Sequence, residues 1–159
     1  MNTVYLLLGS NMGDSEQMLV LATKMIEKNI GKLTTSSSIY RTEAWGKEDQ
    51  PDFLNQIIIV SSSLSSSSVL KEIFAIEKEM GRVRTTKNAA RVIDIDILYF
   101  NNEIIQTETL TVPHPQLQNR KFVLVPLVEI SPNFQHPVIK KSSSELFQFC
   151  SDKLNVQKN

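Results

Sequence analysis

Val4-Tyr5-Leu6-Leu7-Leu8 is an apolar run closed by Gly9-Ser10-Asn11, the pattern of a strand buried on both faces that opens into a loop. Asp14 follows in the position of an N-cap, with Gln17 three residues on. Met18, Leu21, Ala22, Met25 and Ile26 then recur at helical spacing up to a stop at Gly31. Thr34 to Tyr40, rich in β-branched and small polar residues, predicts one strand, and Phe53 to Ser62, centred on Ile57-Ile58-Ile59-Val60, predicts another. The serines around Leu64 serve as turn and cap residues for a second helix, whose stripe of Val69, Leu70, Ile73, Ile76 and Met80 ends at Gly81. After a polar loop from Arg82 to Arg91, Val92 to Phe100 reads as a further strand.

The order βαββαβ folds most simply, under the rules for chain connections, into an α+β domain of ferredoxin-like form: an antiparallel sheet with both helices packed on one face. A helical candidate from Arg120 to Ile130 and a last helix near Glu145, capped by Ser142 in the S-x-x-E pattern, form a C-terminal helical extension. No internal repeat or linker divides the 159 residues, so a single domain spanning 1–159 is expected.

Composition narrows the function mainly by exclusion. The apolar runs are far shorter than a membrane span. Seventeen basic residues cancel seventeen acidic ones, so no global field favours nucleic acid or anionic lipid. Met1-Asn2-Thr3-Val4 lacks the basic start and apolar core of a secretory signal. Cys150 is the single cysteine, which excludes an internal disulfide and points to a reducing, cytoplasmic location; with two histidines it makes no zinc cluster.

The chemistry concentrates at Asp94-Ile95-Asp96. Residues two apart on a strand share a face, so both carboxylates project together, about 6–7 Å apart at Cα, while Ile93, Ile95 and Ile97 anchor the other face. Like charges this close favour a cation between them, and carboxylate oxygens suit Mg²⁺; the alternative is a solvated strand face. Upstream, Arg82, Arg84, Lys87 and Arg91 crowd one loop, as phosphoryl transfer requires, or else they simply solvate a helix end. His114, held between Pro113 and Pro115, is a candidate hydrogen-bond donor to a phosphate or else a loop histidine of no consequence, whereas His136 has no supporting context and reads as structural. Trp45, Phe53 and Phe122 lie outside the helical stripes and are able to stack on a flat heterocycle. No Walker sequence and no defensible Ser-His-Asp or Cys-His set is present.

Taken in order, these pieces resemble the 6-hydroxymethyl-7,8-dihydropterin pyrophosphokinases of folate biosynthesis. The resemblance is carried by Leu8–Asn11, Tyr40-Arg41-Thr42, Gln50 to Asn55, Gly81 to Arg84, Arg91 to Leu98, Leu110 to His114 and Asn119 to Phe122, and it weakens after Ile130. It implies transfer of diphosphate from ATP to the pterin hydroxymethyl group, giving AMP, with two Mg²⁺ ions held by Asp94 and Asp96 and with Asp96, Arg82 and Arg91 as the catalytic set. It also implies a pterin sandwiched by Phe53 and Phe122 and met at its edge by Thr42, Trp45 and Asn55, with Glu77, Arg84, Ile97, Thr111, His114 and Arg120 on the ATP side. Where many members carry an aromatic residue and Gly-Pro, this chain has Asn88-Ala89-Ala90 before Arg91. The expected partners are small molecules, ATP and a reduced pterin, with no nucleic acid or membrane, and the expected state is a monomer.

Two other classes share parts of this pattern. Nucleotidyltransferases combine a Gly-Ser turn with a D-x-D strand, but close together, whereas Ser10 and Asp94 are far apart here. Ferredoxin-like sheets also bind single-stranded RNA through aromatics on central strands, yet no RNP-type segment is present.

Overall fold

The computed structural model describes residues 1–43, 51–82 and 91–159. Trp45, Arg84 and Asn88-Ala89-Ala90 therefore lie outside the described residues. The chain runs β1 (Asn2–Ser10), α1 (Ser15–Asn29), β2 (Lys32–Ser36), β3 (Tyr40–Thr42), β4 (Phe53–Ser62), α2 (Ser66–Glu79) and β5 (Asp94–Phe100). It continues through a small hairpin, β6 (Ile105–Gln106) and β7 (Thr111–Val112), to α3 (Lys121–Ile130), α4 (Ser143–Gln148) and β8 (Val156–Lys158). In the main sheet the order is β5-β1-β4-β3-β8, with β2 also on β4, and every pairing is antiparallel. This is the expected ferredoxin-like arrangement.

The expected strand from Thr34 to Tyr40 is instead two, β2 and β3, because the chain breaks away from β4 at Ser37. There the Ser37 N–H still donates to the Ile57 carbonyl at 2.8 Å, but the Ser37 hydroxyl accepts the Ile57 N–H at 3.0 Å and Gln56 Nε2 donates to the Ser37 carbonyl at 2.8 Å, side-chain bonds taking over part of the ladder. The strand expected from Val92 begins at Asp94. The C-terminal extension, expected to be helical, also contributes β8, which pairs with β3. The caps are as expected: Asp14 accepts from Gln17 N–H, Ser65 from Ser68 N–H, and Ser142 with Glu145 forms a capping box. Gly31, the expected stop after α1, sits so close to β4 that a β-carbon would meet the Ser61 carbonyl oxygen at 2.2 Å, so no other residue fits without moving backbone.

Alternation along β1 divides the interior into two. Val4, Leu6 and Leu8 pack with Leu19, Ala22 and Ile26 of α1 and with Val69, Ile73 and Ile76 of α2. Tyr5 and Leu7 pack on the opposite face with Val123, Leu124 and Leu127 of α3 and Leu146 of α4. Each such valine, leucine or isoleucine side chain, buried on folding, contributes on the order of 1.5–3 kcal/mol. One irregularity matters to the site. The β1–β5 register passes from Tyr5 opposite Tyr99 to Leu6 opposite Ile97, so Leu98 is an extra residue. Ile93, Ile95, Ile97 and Phe100 thus join the helix-side core, Leu98 and Tyr99 both join the α3 side, and Asp94 and Asp96 face the α3 side at the open end of the sheet. Among the described residues no helix is long and apolar enough to cross a membrane.

Candidate active site

Strand register assembles the floor of the site. Asp94 lies opposite Gly9, Gly9 opposite Asn55, and Asn55 opposite Tyr40; one pleat inward, Asp96 lies opposite Leu7 and Leu7 opposite Ile57. Residues directly opposed in an antiparallel sheet share a face, so a glycine separates the carboxylate of Asp94 from the amide of Asn55. Above this floor opens a cavity of about 880 Å³, lined by Thr42, Phe53, Asn55, Arg91, Asp94, Asp96, Arg120 and Phe122 among others. That volume suits ligands of nucleotide or pterin size.

Thr42 has its Oγ1 buried on this wall with no hydrogen-bond partner among the described residues. A buried hydroxyl left in this way costs about 1–3 kcal/mol, a cost that a ligand with a polar edge removes. Asn55 is buried beside it, and its Nδ2 donates to the Leu8 carbonyl at 3.4 Å. The two aromatic side chains are covered by cations: the Arg91 guanidinium stands 5.7 Å from the Phe53 ring centre, and the Arg120 guanidinium 5.7 Å from that of Phe122.

Charge alternates across the sheet edge from Glu77 to Arg82 to Asp94 to Arg91. Arg82 Nη1 donates to Glu77 Oε2 at 2.8 Å and also to the carboxylate of Asp94, which accepts from Arg91 Nη1 at 3.3 Å. Glu77 further accepts the Ile95 N–H at 2.9 Å, so it fixes both the arginine and the strand that carries the aspartates. Burial works against the Arg82 charge, but Asp94 and Glu77 outweigh it and hold the guanidinium protonated. Asp96 behaves differently. Burial, followed by repulsion from Asp94 and Glu77, pushes its pKa up to about 7, against the pull of Arg120 and Arg82. The two carboxylates are an oxygen-only donor set in which one member is poised to lose its proton when a cation arrives, and this fits a hard divalent ion.

His114 is brought beside β5 by its own N–H, which donates to the Leu98 carbonyl at 3.0 Å. Burial and then Arg120 lower its pKa to about 4, with Asp94 opposing. Its Nδ1 accepts the Gln116 N–H at 3.1 Å, which assigns the proton of the neutral ring to Nε2 and makes that nitrogen a donor. Thr111 is exposed on β7 near the same edge, whereas the Ile97 side chain belongs to the helix-side core. Glu77, Arg82, Ile97, Thr111 and His114 are outside the cavity lining. His136 is structural as expected, its Nδ1 accepting the N–H groups of Val138 and Ile139.

Nothing in the chemistry of Asn11 singles it out in the sequence. It is buried, exchanges backbone and side-chain hydrogen bonds with Arg91 at 3.1 and 2.9 Å, and donates from Nδ2 to the Pro51 carbonyl at 3.2 Å. One side chain thereby joins the loop after β1 to the residues that lead into β4 and β5. Its place in Leu8-Gly9-Ser10-Asn11 is the sequence signal it carries.

With this geometry in place, the comparison with known proteins decides the family. Residues 5–132 match the family described as 7,8-dihydro-6-hydroxymethylpterin-pyrophosphokinase. The chain belongs to this family. A 2-amino-4-hydroxy-6-hydroxymethyldihydropteridine pyrophosphokinase of Aquifex aeolicus is 42% identical over 145 residues, covering 91% of this chain and 90% of that protein. Its counterpart in Haemophilus influenzae is 39% identical over 155 residues, with 97% of each covered. The Folic acid synthesis protein FOL1 of Dictyostelium discoideum is 41% identical over 145 residues, but this chain spans only 22% of it. Among solved structures, that of an HPPK-DHPS in complex with substrates superposes with a TM-score of 0.73 at 18% identity, covering 92% of this chain and 43% of that one, a likeness of fold.

Proposed function

We propose that this chain, as one domain over residues 1–159, transfers the terminal diphosphate of ATP to 6-hydroxymethyl-7,8-dihydropterin in folate biosynthesis. The hydroxymethyl oxygen attacks the β-phosphorus, the bond between that phosphorus and the oxygen bridging to the α-phosphate breaks, AMP leaves, and the hydroxyl proton is released. The observation that carries this reading is the meeting, in one cavity, of a carboxylate pair, a cationic rim and two phenyl rings in a chain of the pyrophosphokinase family.

The pterin ring lies between Phe53 and Phe122, and its polar edge meets the orphaned Thr42 hydroxyl and the Asn55 amide; Trp45 is assigned to the same substrate by the family resemblance alone. Asp94 and Asp96 would hold two Mg²⁺ ions. Bound there, the ions supply charge neutralisation for the phosphates. Arg82 and Arg91 contact the transferring phosphates, where charge builds as the bridging bond lengthens. His114 donates from Nε2 to the nucleotide, a side of the site that the family resemblance also assigns to Glu77, Arg84, Ile97, Thr111 and Arg120. With a cation bound beside it, Asp96 would be held ionised as an acceptor.

Small-molecule substrates are the partners in this reading, the chain acts as a monomer, and its place is the cytoplasm. Incubation with ATP, Mg²⁺ and 6-hydroxymethyl-7,8-dihydropterin followed by nucleotide chromatography tests the reaction. AMP and a pterin diphosphate in equal amounts are expected. ADP with a pterin monophosphate, or pyrophosphate with an adenylated pterin, overturns it.

A further inference from the structure

The family match ends at residue 132, yet Ser151, Asp152, Lys153 and Leu154 line the same cavity as Phe53, Phe122 and the aspartates. This segment is a strap fixed at both ends. Beyond the cavity, β8 pairs with β3 so that Val156 lies opposite Thr42, and the Asn159 N–H donates to the Ile39 carbonyl at 2.8 Å. Arg41 Nη2 adds a bond to Asn159 Oδ1 at 2.9 Å. At the near end, Asp152 Oδ2 accepts the Lys121 N–H at 3.0 Å, and Oδ1 accepts the Leu154 N–H at 3.0 Å.

The bond to Lys121 answers a need in α3. Its N-cap residue is Arg120, which makes no side-chain capping bond, and a guanidinium has no acceptor to offer. The carboxylate of Asp152, from far along the chain, supplies both the missing acceptor and a negative charge at the positive end of the helix. The residues on either side of Lys121 are Arg120 and Phe122, which both line the cavity.

We propose that Asp152 is a positioning residue for the pterin half of the site: it caps α3 so as to hold Phe122 in place and fastens the strap that forms one wall of the pocket. This rests on the assignment of the pterin to the Phe53–Phe122 region. Asp152 bonds the Lys121 and Leu154 N–H groups and no phosphate-side side chain, so its loss falls mainly on the pterin, although Arg120 shares the capped end of α3.

The test is titration of 6-hydroxymethyl-7,8-dihydropterin, in the presence of a non-hydrolysable ATP analogue, into the parent protein and the variants Asp152→Ala, Asp152→Asn and Phe122→Ala, with steady-state kinetics alongside. Asp152→Ala is expected to weaken pterin binding about tenfold, the scale of one lost hydrogen bond to a charged group, and to raise the pterin KM with kcat nearly kept. Affinity for the analogue should stay within about twofold, well under the tenfold of one such bond. Asp152→Asn should recover part of the loss, because its amide oxygen still accepts from Lys121. Unchanged pterin affinity in Asp152→Ala beside a clear loss in Phe122→Ala overturns this role alone, as does an equal fall for both ligands or no recovery with Asn. Unchanged pterin affinity in Phe122→Ala removes the pocket assignment itself and this proposal with it.

Discussion

Gly9 faces Asn55 across the β1–β4 ladder so closely that a β-carbon on it would lie 2.7 Å from Asn55 Nδ2. The atom in the way is the end of a side chain, so Gly9→Ala moves the amide rather than the sheet. The fold should survive with a small change in melting temperature. Pterin affinity should fall by about 1–3 kcal/mol, since the displaced amide no longer meets the polar edge of the ring. Calorimetric titration with pterin and a thermal melt of the same variant separate the two effects.

Asp96 gives the apo protein a signature in pH. Its folded pKa is raised to about 7, so between the ordinary carboxylate value and 7 the native state holds more protons than the unfolded state. Its contribution to stability is therefore present at low pH and declines as pH rises through 7. His114, lowered to about 4, acts in the opposite sense: its contribution is present above the ordinary histidine value and is lost as pH falls toward 4. The two slopes oppose each other in the parent, and Asp96→Asn should remove the one that falls with rising pH. Melting temperatures of parent and Asp96→Asn, measured without Mg²⁺ from pH 4 to 8, are expected to diverge in favour of the variant toward pH 8. A constant difference across the range would refute the raised pKa.

The two arginines on Asp94 should separate on mutation. Repulsion between the aspartates suggests from the sequence that either one is relieved by loss of the other, but the ion pairs make Asp94 and Arg82 partners in the fold. The Arg82 side chain is only 9% exposed and also serves Glu77, so Arg82→Ala leaves a buried carboxylate without that partner and should cost on the order of 3–5 kcal/mol of stability. Arg91 is more open to solvent, and Arg91→Ala should fold normally while lowering kcat more than it weakens ATP binding. Denaturant melts and single-turnover kinetics of both variants check this; equal stability of the two would contradict it.

What the sequence shows of this site follows the range of the interactions that build it. Asp94 and Asp96 were legible because the period of a strand alone puts them on one face, and the caps at Asp14, Ser65 and Ser142 because capping is local. The break between β2 and β3 depends on Ser37 meeting Gln56 and Ile57, about twenty residues away, and no local rule contains it. Glu77 reads as one polar position on an amphipathic helix until the sheet brings the Ile95 N–H to it. Asp152 is the extreme case: its partner Lys121 is 31 positions upstream, and a polar tail carries no periodicity that would announce a strap.

Asn11→Ala should loosen two approaches to the site at once. The amide accepts the Arg91 N–H and donates to the Pro51 carbonyl, and losing both bonds is expected to cost about 1–3 kcal/mol of stability. Activity should fall further than stability explains, because the backbone that carries Arg91 and the entry to Phe53 are no longer tied together. Asn11→Asp keeps the acceptor for Arg91 and loses the donor to Pro51, so it should retain more of kcat than Asn11→Ala. Parallel kinetics and hydrogen exchange on the two variants would reveal whether the brace acts through one loop or both.

Ring stacking at Phe53 and Phe122 must displace what now covers them. Each phenyl ring carries a guanidinium 5.7 Å from its centre, an interaction worth about 0.5–1 kcal/mol at partly exposed sites. Stacking of a heterocycle on an aromatic side chain contributes about 1–3 kcal/mol, so the exchange favours the pterin and releases Arg91 and Arg120 toward the phosphates. Phe122→Ala should therefore weaken pterin binding by about 1–3 kcal/mol while leaving ATP-analogue affinity nearly intact. Arg120→Ala removes the cover without the ring, so pterin binding in the absence of nucleotide should hold or tighten slightly, by no more than about 1 kcal/mol. Titration of pterin alone into the two variants gives opposite signs if the guanidinium competes for the ring face. A loss of pterin affinity in Arg120→Ala equal to that in Phe122→Ala would mean that the arginine supports the stacked ring instead of yielding to it.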